Sequence, residues 1–349
     1  MTADEVMTAV RSGTKDAKDA WAKVDALVQE FDPEEITRLV QSLLRTPSPS
    51  WPIDSVGRRV LHLLALEPGW PSLSLLLDLM QLGATTWSSS RLLESLVAQR
   101  KDGQEFVAAL PHRGRDFDFF AGLLHCLVCR GVDFTREQAV HVFHDELEER
   151  AHPLAPLPLA LTHVERSLLL ATHHVDGSGS ALHSAPKPVE LALVRTVPLR
   201  NVELPDELEL ATRFWTERES AGVLLKERTS PLDLRSLPLE SLRDDRVQQV
   251  KVDPGEVFAR LFQAASQGGA YTRGEYDAFA RLSAFRSLKA FCLGDGPLEV
   301  DPLLVEVDRC EWWLFFGGKF FADVAWDLGV ACIRSDGITV VAHAATDTD

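Results

Sequence analysis

Two cysteines and two histidines in the first half of the chain are of the residue types that bind zinc. Cys126 and Cys129 are followed by His141 and His144, and zinc accepts both thiolate sulfur and imidazole nitrogen. In a helical hairpin that turns near Val132, Cys126 faces His141, but Cys129 and His144 lie about 13 Å apart along the helix axis. Because zinc bonds are about 2 Å long, the sequence predicts no metal site and no cofactor. Cys126 and His141 are the remaining candidate ligands.

Histidines also occur where a stretch rich in glycine and serine begins. His173, His174 and Asp176 open this stretch, and a histidine beside an aspartate at a domain junction can act as a general base. A serine of the same stretch would then be the nucleophile. The alternative is a flexible linker, because the chain has no GxSxG, HExxH, P-loop or GxGxxG motif. These three residues are the catalytic candidates for an enzyme of unknown, hydrolase-like reaction.

The aromatic C-terminal tail supplies a third set of candidates. Trp312 and Trp313 present one indole to each face of a predicted strand, so we expect one of them to be exposed as an anchor for a partner. Asp323 and Asp327 flank Trp326, and carboxylates there would bind a cation or a cationic group of a partner. The alternative is structural, since aspartates also cap helices and protect sheet edges. All five residues are candidate binding residues, and the cluster of Asp323, Trp326 and Asp327 is the second possible site of the enzyme of unknown reaction.

Acidic residues form two dense runs, His144–Arg150 and Glu203–Glu209. Paired carboxylates act as acid and base when burial separates their pKa values, but most carboxylates simply lie on solvated surfaces. A third interpretation makes the acidic helical surface a docking face for a basic protein. We favour a non-enzymatic protein–protein interaction function of this kind, as in an immunity or regulatory factor.

The first 150 residues carry apolar side chains at helical spacing. Asp32, followed by Pro33 and two glutamates, is typical of a helix start. Short groups of Pro, Gly and Ser separate the helical stretches, which indicates a HEAT-like solenoid or an irregular bundle. Helices are predicted over residues 20–31, 33–44, 53–66, 71–82, 89–110, 115–129, 135–150 and 159–171.

The second half of the chain mixes helices with strands. The Ser335-Asp336-Gly337 turn between apolar runs is a strong hairpin signal, and helices that cover one face of a small antiparallel sheet make an α+β fold. Because periodicity vanishes after His173, we divide the chain into a helical domain (1–172), a linker loop (173–188) and an α+β domain (189–349). Helices are predicted over residues 204–218, from Asp253-Pro254 onward and over 272–291, and tail strands over 312–316, 328–334 and 338–344.

Composition restricts the class of protein. The 349 residues are 45% hydrophobic and carry a net charge of −16, which is ordinary for a globular chain but argues against nucleic-acid binding. No stretch approaches the roughly 18 apolar residues of a membrane helix, and the N-terminus lacks the apolar core of a signal peptide. Five cysteines, an odd and sparse set, predict a reduced cytoplasmic protein without a disulfide framework.

The last 25 residues, AWDLGVACIRSDGITVVAHAATDTD, resemble the C-terminal signature of an uncharacterised bacterial family. Members of that family similarly pair a helical N-terminal region with a tail that ends in Thr-Asp-Thr-Asp. The resemblance implies a bacterial origin, and it implies no activity and no catalytic residue. We therefore expect a bacterial cytoplasmic protein that contacts a protein partner, and neither nucleic acid nor a membrane.

Overall fold

The computed structural model describes residues 1–12, 18–46, 50–100, 102–179, 193–228, 230–321 and 324–348. They belong to two compact units. The first unit comprises Met1–Arg150 and Ala171–Gly179, and the second comprises Ala151–Leu170 and Ser180–Asp349. None of the helices in the described part of the chain has both the length and the apolar character that a membrane crossing requires.

The first unit is helical, as the apolar spacing predicts. Asp32 accepts hydrogen bonds from the amides of Glu34 and Glu35 at 3.0 and 3.2 Å, which confirms the predicted helix start. Alternate helices pack on one another, α2 on α4, α4 on α6 and α6 on α8. The helices are α1 (Ala3–Arg11), α2 (Lys18–Glu30), α3 (Pro33–Leu44), α4 (Trp51–Leu66), α5 (Trp70–Gln81), α6 (Ser90–Ala98), α7 (Gly103–Ala109), α8 (Phe117–Cys129) and α9 (Gln138–Glu149).

Two features of this unit differ from the sequence-based expectation. The single helix predicted over 89–110 is two helices, because Asp102 caps α7 by accepting a hydrogen bond from the Glu105 amide at 2.8 Å. The start of the predicted linker loop forms a two-stranded hairpin, β1 (Thr172–His174) and β2 (Gly177–Gly179).

The second unit contains a six-stranded antiparallel sheet, which confirms the predicted α+β fold. The strand order is β3-β4-β8-β7-β6-β5, so the last strand of the chain lies inside the sheet and all eight of its residues are buried. The elements are β3 (Pro198–Asn201), β4 (Glu217–Leu225), β5 (Gln248–Val252), α10 (Pro254–Gln267), α11 (Tyr276–Cys292), α12 (Val300–Val307), β6 (Glu311–Phe316), β7 (Asp327–Ile333) and β8 (Thr339–Thr346).

Both faces of this sheet are covered. On one face Trp313 and Phe315 join an apolar cluster with leucines of the irregular segment 232–242. On the other face α10 packs against β6 and β7, and Trp312 meets Phe291 of α11 edge-to-face at 5.8 Å. Trp312 and Trp313 are therefore both buried, at 1% and 0% exposure, and the expectation that one of them is exposed is wrong.

The helix predicted over 159–171 is also wrong, and one ion pair explains why. Arg281 of α11 is fully buried and donates hydrogen bonds to both carboxylate oxygens of Glu165, at 2.6 and 3.0 Å. The same guanidinium donates to the carbonyl oxygens of Pro158 and Ala160, at 2.9 and 3.0 Å. Because those carbonyl oxygens accept hydrogen bonds from Arg281, they do not accept the backbone hydrogen bonds of an α-helix. The segment holds only a short 3₁₀ turn at His163–Glu165.

The prediction over 204–218 also differs from the structure. That segment begins with a 3₁₀ turn, Asp206–Thr212, and ends in β4. The last two residues of the predicted helix, Glu217 and Arg218, pair instead with Thr346 and Ala345 of β8.

Candidate metal centre

The three catalytic candidates lie on the β1–β2 hairpin, within the first unit. His173 is buried, and its backbone exchanges two hydrogen bonds with the Gln99 side chain, at 2.8 and 2.9 Å. Burial lowers the pKa of His173 to about 4. His174 is exposed on the opposite face of the strand, and Asp176 pairs with Arg59 at 2.5 Å. The hairpin thus sends the two imidazoles to opposite faces.

The two residues kept as candidate metal ligands lie in different environments. Cys126 is buried in α8, where its Sγ lies 3.7 Å from the hydroxyl of Ser95. His141 is exposed on α9, and its Nε2 lies 2.9 Å from the carbonyl oxygen of Thr135.

The candidate binding residues of the tail divide into two groups. Trp312 and Trp313 are part of the packed interior described above. Trp326 and Asp327 are half-buried and line a cleft beside β6 and β7. Asp323 lies outside the described residues.

Three other cysteines come together in the second unit. Cys292 ends α11, Cys310 immediately precedes β6, and Cys332 lies in β7 opposite Trp312. Their Sγ atoms all lie within 4.8 Å of one another. Over the described ranges, this is the one group of three or more histidine, cysteine or carboxylate side chains whose donor atoms are this close. All three cysteines are free, with Cys292 and Cys332 buried and Cys310 half-buried.

The three thiols differ in acidity because they share hydrogen bonds. Hydrogen bonds from the thiols of Cys292 and Cys332 stabilise the Cys310 thiolate, and the backbone N–H of Ser335 adds another. These bonds outweigh burial and lower the pKa of the Cys310 thiol to about 4. Burial raises the pKa of Cys292 and of Cys332 well above the usual thiol range. The hydrogen bonds and the burial therefore favour the thiolate form on Cys310 and the neutral thiol on Cys292 and Cys332.

Residues around the thiols fix the elements that carry them. Arg334, which follows β7, donates hydrogen bonds to the carbonyl oxygens of Phe291 and Ala290, at 2.9 and 3.2 Å. These are carbonyls of the last turn of α11, so one guanidinium ties the strand of Cys332 to the helix end of Cys292. Its positive charge also helps to lower the pKa of Cys310. The Ser335 hydroxyl donates to the carboxylate of Glu306 in α12.

The donor set fits a thiophilic metal ion. A tetrahedral ion with bonds to sulfur of about 2.3 Å places its sulfur ligands about 3.8 Å apart, so the three Sγ atoms need to move by no more than about 1 Å. Thiolates select Zn²⁺, Cu⁺ and iron–sulfur clusters over Mg²⁺ or Ca²⁺. The guanidinium of Arg334 offsets the negative charge that three thiolates leave on a divalent ion.

The sequence analysis missed this cluster because its cysteines lack a short motif. Zinc motifs are usually recognised by pairs such as CxxC, whereas Cys292, Cys310 and Cys332 lie far apart along the chain. The one available signal is that all three lie at or beside predicted helices and strands of the same domain.

The chain was also compared with known proteins. No curated protein and no solved structure matches it. A family model described as "Family of unknown function (DUF6183)" matches residues 18–349, nearly the whole chain. The chain therefore belongs to this family of unknown function, DUF6183.

Proposed function

We propose that the protein binds one Zn²⁺ ion through Cys292, Cys310 and Cys332. The observation that carries this proposal is the approach of all three Sγ atoms to within 4.8 Å of one another. The ion would fasten the end of α11, the turn before β6, and β7, which are three separate stretches of chain. Such a site contributes directly to folding stability, because the unfolded chain does not hold its ligands together.

The acidity of the three thiols supports a specific proton count. Zinc binds thiolates, so any ligand that is still a thiol must release its proton. The pKa of the Cys310 thiol is lowered, whereas the pKa values of Cys292 and Cys332 are raised, so we expect one thiolate in the metal-free cluster. Zinc binding at pH 7 should therefore release two protons per ion, which calorimetry in buffers of different ionisation enthalpy measures.

The experiment is metal analysis of three purified chains. The wild type, Cys310→Ser and the control Cys126→Ser are prepared under reducing conditions and analysed for zinc by mass spectrometry. Co²⁺ then replaces zinc, because thiolate ligation gives cobalt an intense charge-transfer absorption. Cys126 is a suitable control because it is also a buried cysteine outside any disulfide, and it lies in the other unit.

We expect one ion per chain, with thiolate absorption, in the wild type and in Cys126→Ser. Cys310→Ser should lose at least about tenfold in affinity, since a hydroxyl does not replace a thiolate ligand. Wild-type protein that takes up no zinc or cobalt would contradict the proposal. The same holds if Cys310→Ser retains full occupancy and an unchanged absorption spectrum.

A second proposal is that the first unit binds a basic protein partner through α9. This helix buries Val140, Phe143 and Leu147 and exposes much of its remaining surface. Asp145 and Glu149 are exposed there. Charges arranged in this way favour a partner of opposite charge and speed its association. The free cysteines and the resemblance of the tail support a bacterial, cytoplasmic setting for this function.

Charge reversal tests the second proposal. The double variant Asp145→Lys/Glu149→Lys should lose a partner that the wild-type protein captures from lysate at low salt. Glu227→Lys/Asp295→Lys makes the same change in net charge on exposed residues of the other unit and should retain that partner. Added salt should weaken capture, because exposed charges are screened beyond about 8 Å at physiological ionic strength. Equal capture by both double variants would exclude α9 as the docking face.

A further inference from the structure

A cleft of about 320 Å³ lies in the second unit, between the C-terminal half of α10 and the ends of β6 and β7. Three aromatic side chains contribute to its walls: Trp215, Phe316 and Trp326. A cleft of this size, with mainly apolar walls and a few polar groups, is typical of small-molecule sites.

The cleft opens where two neighbouring strands stop pairing. β6 and β7 are paired from Glu311 opposite Ile333 to Leu314 opposite Val330, and no further. Beyond that point Phe316 pairs with β5, and Asp327 pairs with Thr346 of β8. The sheet continues on both sides of the gap, so the walls of the cleft are fixed by regular strands.

Polar groups enter the cleft from one face of α10. Arg260, Gln263 and Gln267 follow one another at the spacing that places side chains on one side of a helix, and all three line the cleft. Arg260 is held by Glu256 at 2.8 Å, and Gln263 is buried. The Nε2 atom of Gln267 is buried and has no hydrogen-bond partner among the residues that the structure describes. An unpartnered amide donor is costly, and a rotation of the Gln267 side chain, which lines the cleft, would let a ligand there accept its hydrogen bond.

A fixed carboxylate lies at the start of β7. Asp327 accepts hydrogen bonds from the Thr346 hydroxyl at 2.6 Å and from the Val324 amide at 3.0 Å, one on each carboxylate oxygen. Carboxylates held in this way accept hydrogen bonds from the hydroxyls of a ribose. Trp326 and Asp327 are the two tail residues, of the five singled out in the sequence, that reach the cleft.

We propose that this cleft binds an uncharged purine nucleoside. Aromatic side chains stack on the faces of a base, and carboxamides such as those of Gln263 and Gln267 form paired hydrogen bonds with the edge of a purine. Asp327 accepts hydrogen bonds from the sugar hydroxyls. The same carboxylate, together with the Glu256 that neutralises Arg260, disfavours a phosphorylated ligand. A purely aliphatic ligand would leave the Gln267 amide without a partner.

The test is calorimetric titration of the full-length protein with adenosine and guanosine, with adenosine monophosphate as the charged comparison. We expect saturable binding of at least one nucleoside and at least tenfold weaker binding of the monophosphate. Trp326→Ala should weaken nucleoside binding at least about tenfold, since stacking on one aromatic ring contributes that much. Gln267→Leu should weaken it about tenfold as well, since it removes a hydrogen bond to the base. Trp51→Ala and Gln104→Leu remove exposed side chains of the same types from the other unit and should bind like the wild type.

Three outcomes would overturn the proposal. The first is that neither nucleoside binds the wild type saturably. The second is that the monophosphate binds as tightly as the nucleoside. The third is that Gln267→Leu, with an unchanged circular dichroism spectrum, keeps wild-type affinity. The Gln267 variant decides the matter if Trp326→Ala fails to fold. Zinc binding has no part in this test, so either proposal can fail alone.

Discussion

Replacing Glu94 by glutamine should stabilise the helical unit, and the gain should increase with pH. Glu94 lies on α6 at 3% exposure. Its Oε1 accepts a hydrogen bond from the Ser90 hydroxyl at 2.7 Å, whereas its Oε2 has no partner within the described chain. Oε2 faces Gly122 of α8, where an added Cβ would lie 1.9 Å away. Burial raises the pKa of this carboxyl from 4.5 to about 8.

The size and the sign of the effect follow from the two pKa values. Between pH 4.5 and about 8 the unfolded chain loses the proton and the folded chain keeps it, so stability falls as pH rises. Within this range each pH unit lowers the free energy of unfolding by about 1.4 kcal/mol. The loss is therefore roughly 3 kcal/mol at pH 7 and roughly 5 kcal/mol above pH 8. Glutamine does not ionise and escapes this loss, although its amide adds a constant cost of about 1–3 kcal/mol if it stays unpaired.

The assay is urea unfolding of the wild type and of Glu94→Gln at pH 5, 6, 7, 8 and 9, followed by far-ultraviolet circular dichroism. The difference in unfolding free energy between the two should rise by about 1.4 kcal/mol per unit up to pH 8 and then level off. Glu137→Gln, at an exposed site of the same unit, should track the wild type. A difference that stays constant from pH 5 to pH 9 would mean that Glu94 is ionised in the folded protein, and the reasoning would be refuted.

Three further predictions concern the second unit. Burial lowers the pKa of His343 to about 4, so wild-type stability should fall by about 3 kcal/mol between pH 6.5 and 4 relative to His343→Gln, as measured by urea unfolding. A Cβ at Gly329 would lie 2.2 Å from the carbonyl oxygen of Phe315, so Gly329→Ala should cost at least about 2 kcal/mol in thermal unfolding. Gly114→Ala, at an open site, should cost much less. Arg334→Gln should weaken zinc binding about tenfold or more in chelator competition, because it frees the end of α11.

Local patterns were enough to predict most helices and the tail strands. Asp32 and Asp253 both accept hydrogen bonds from amides in the first turn of the helices that follow them, as their sequence context predicts. The Asp336-Gly337 turn joins β7 to β8 as expected. In each case the deciding interaction links residues a few positions apart, so a short window of sequence contains it.

Errors arose where a distant side chain decides the local structure. The segment before Glu165 is not helical because Arg281, more than 100 residues later, donates hydrogen bonds to the carbonyl oxygens of that segment and to the carboxylate of Glu165. Trp313 is buried because the segment 232–242 covers the second face of the sheet. Residues 312–316 are apolar at every position, which is typical of a strand buried on both faces, so the expectation of an exposed tryptophan overlooked a signal that the strand itself carries.

The cysteine cluster depends on the register of two strands, and a turn fixes such a register only when it is short. The turn between β7 and β8 is short, and its hairpin was predicted. Ten residues separate Phe316 of β6 from Asp327 of β7, and a connection of that length fits many registers. In the register that forms, Trp312 lies opposite Cys332. Since Cys310 is two residues before Trp312, a shift of two residues in the pairing would carry Cys310 about 7 Å along β7 and separate the thiols. The site is therefore a property of β6–β7 pairing, which neither strand specifies alone.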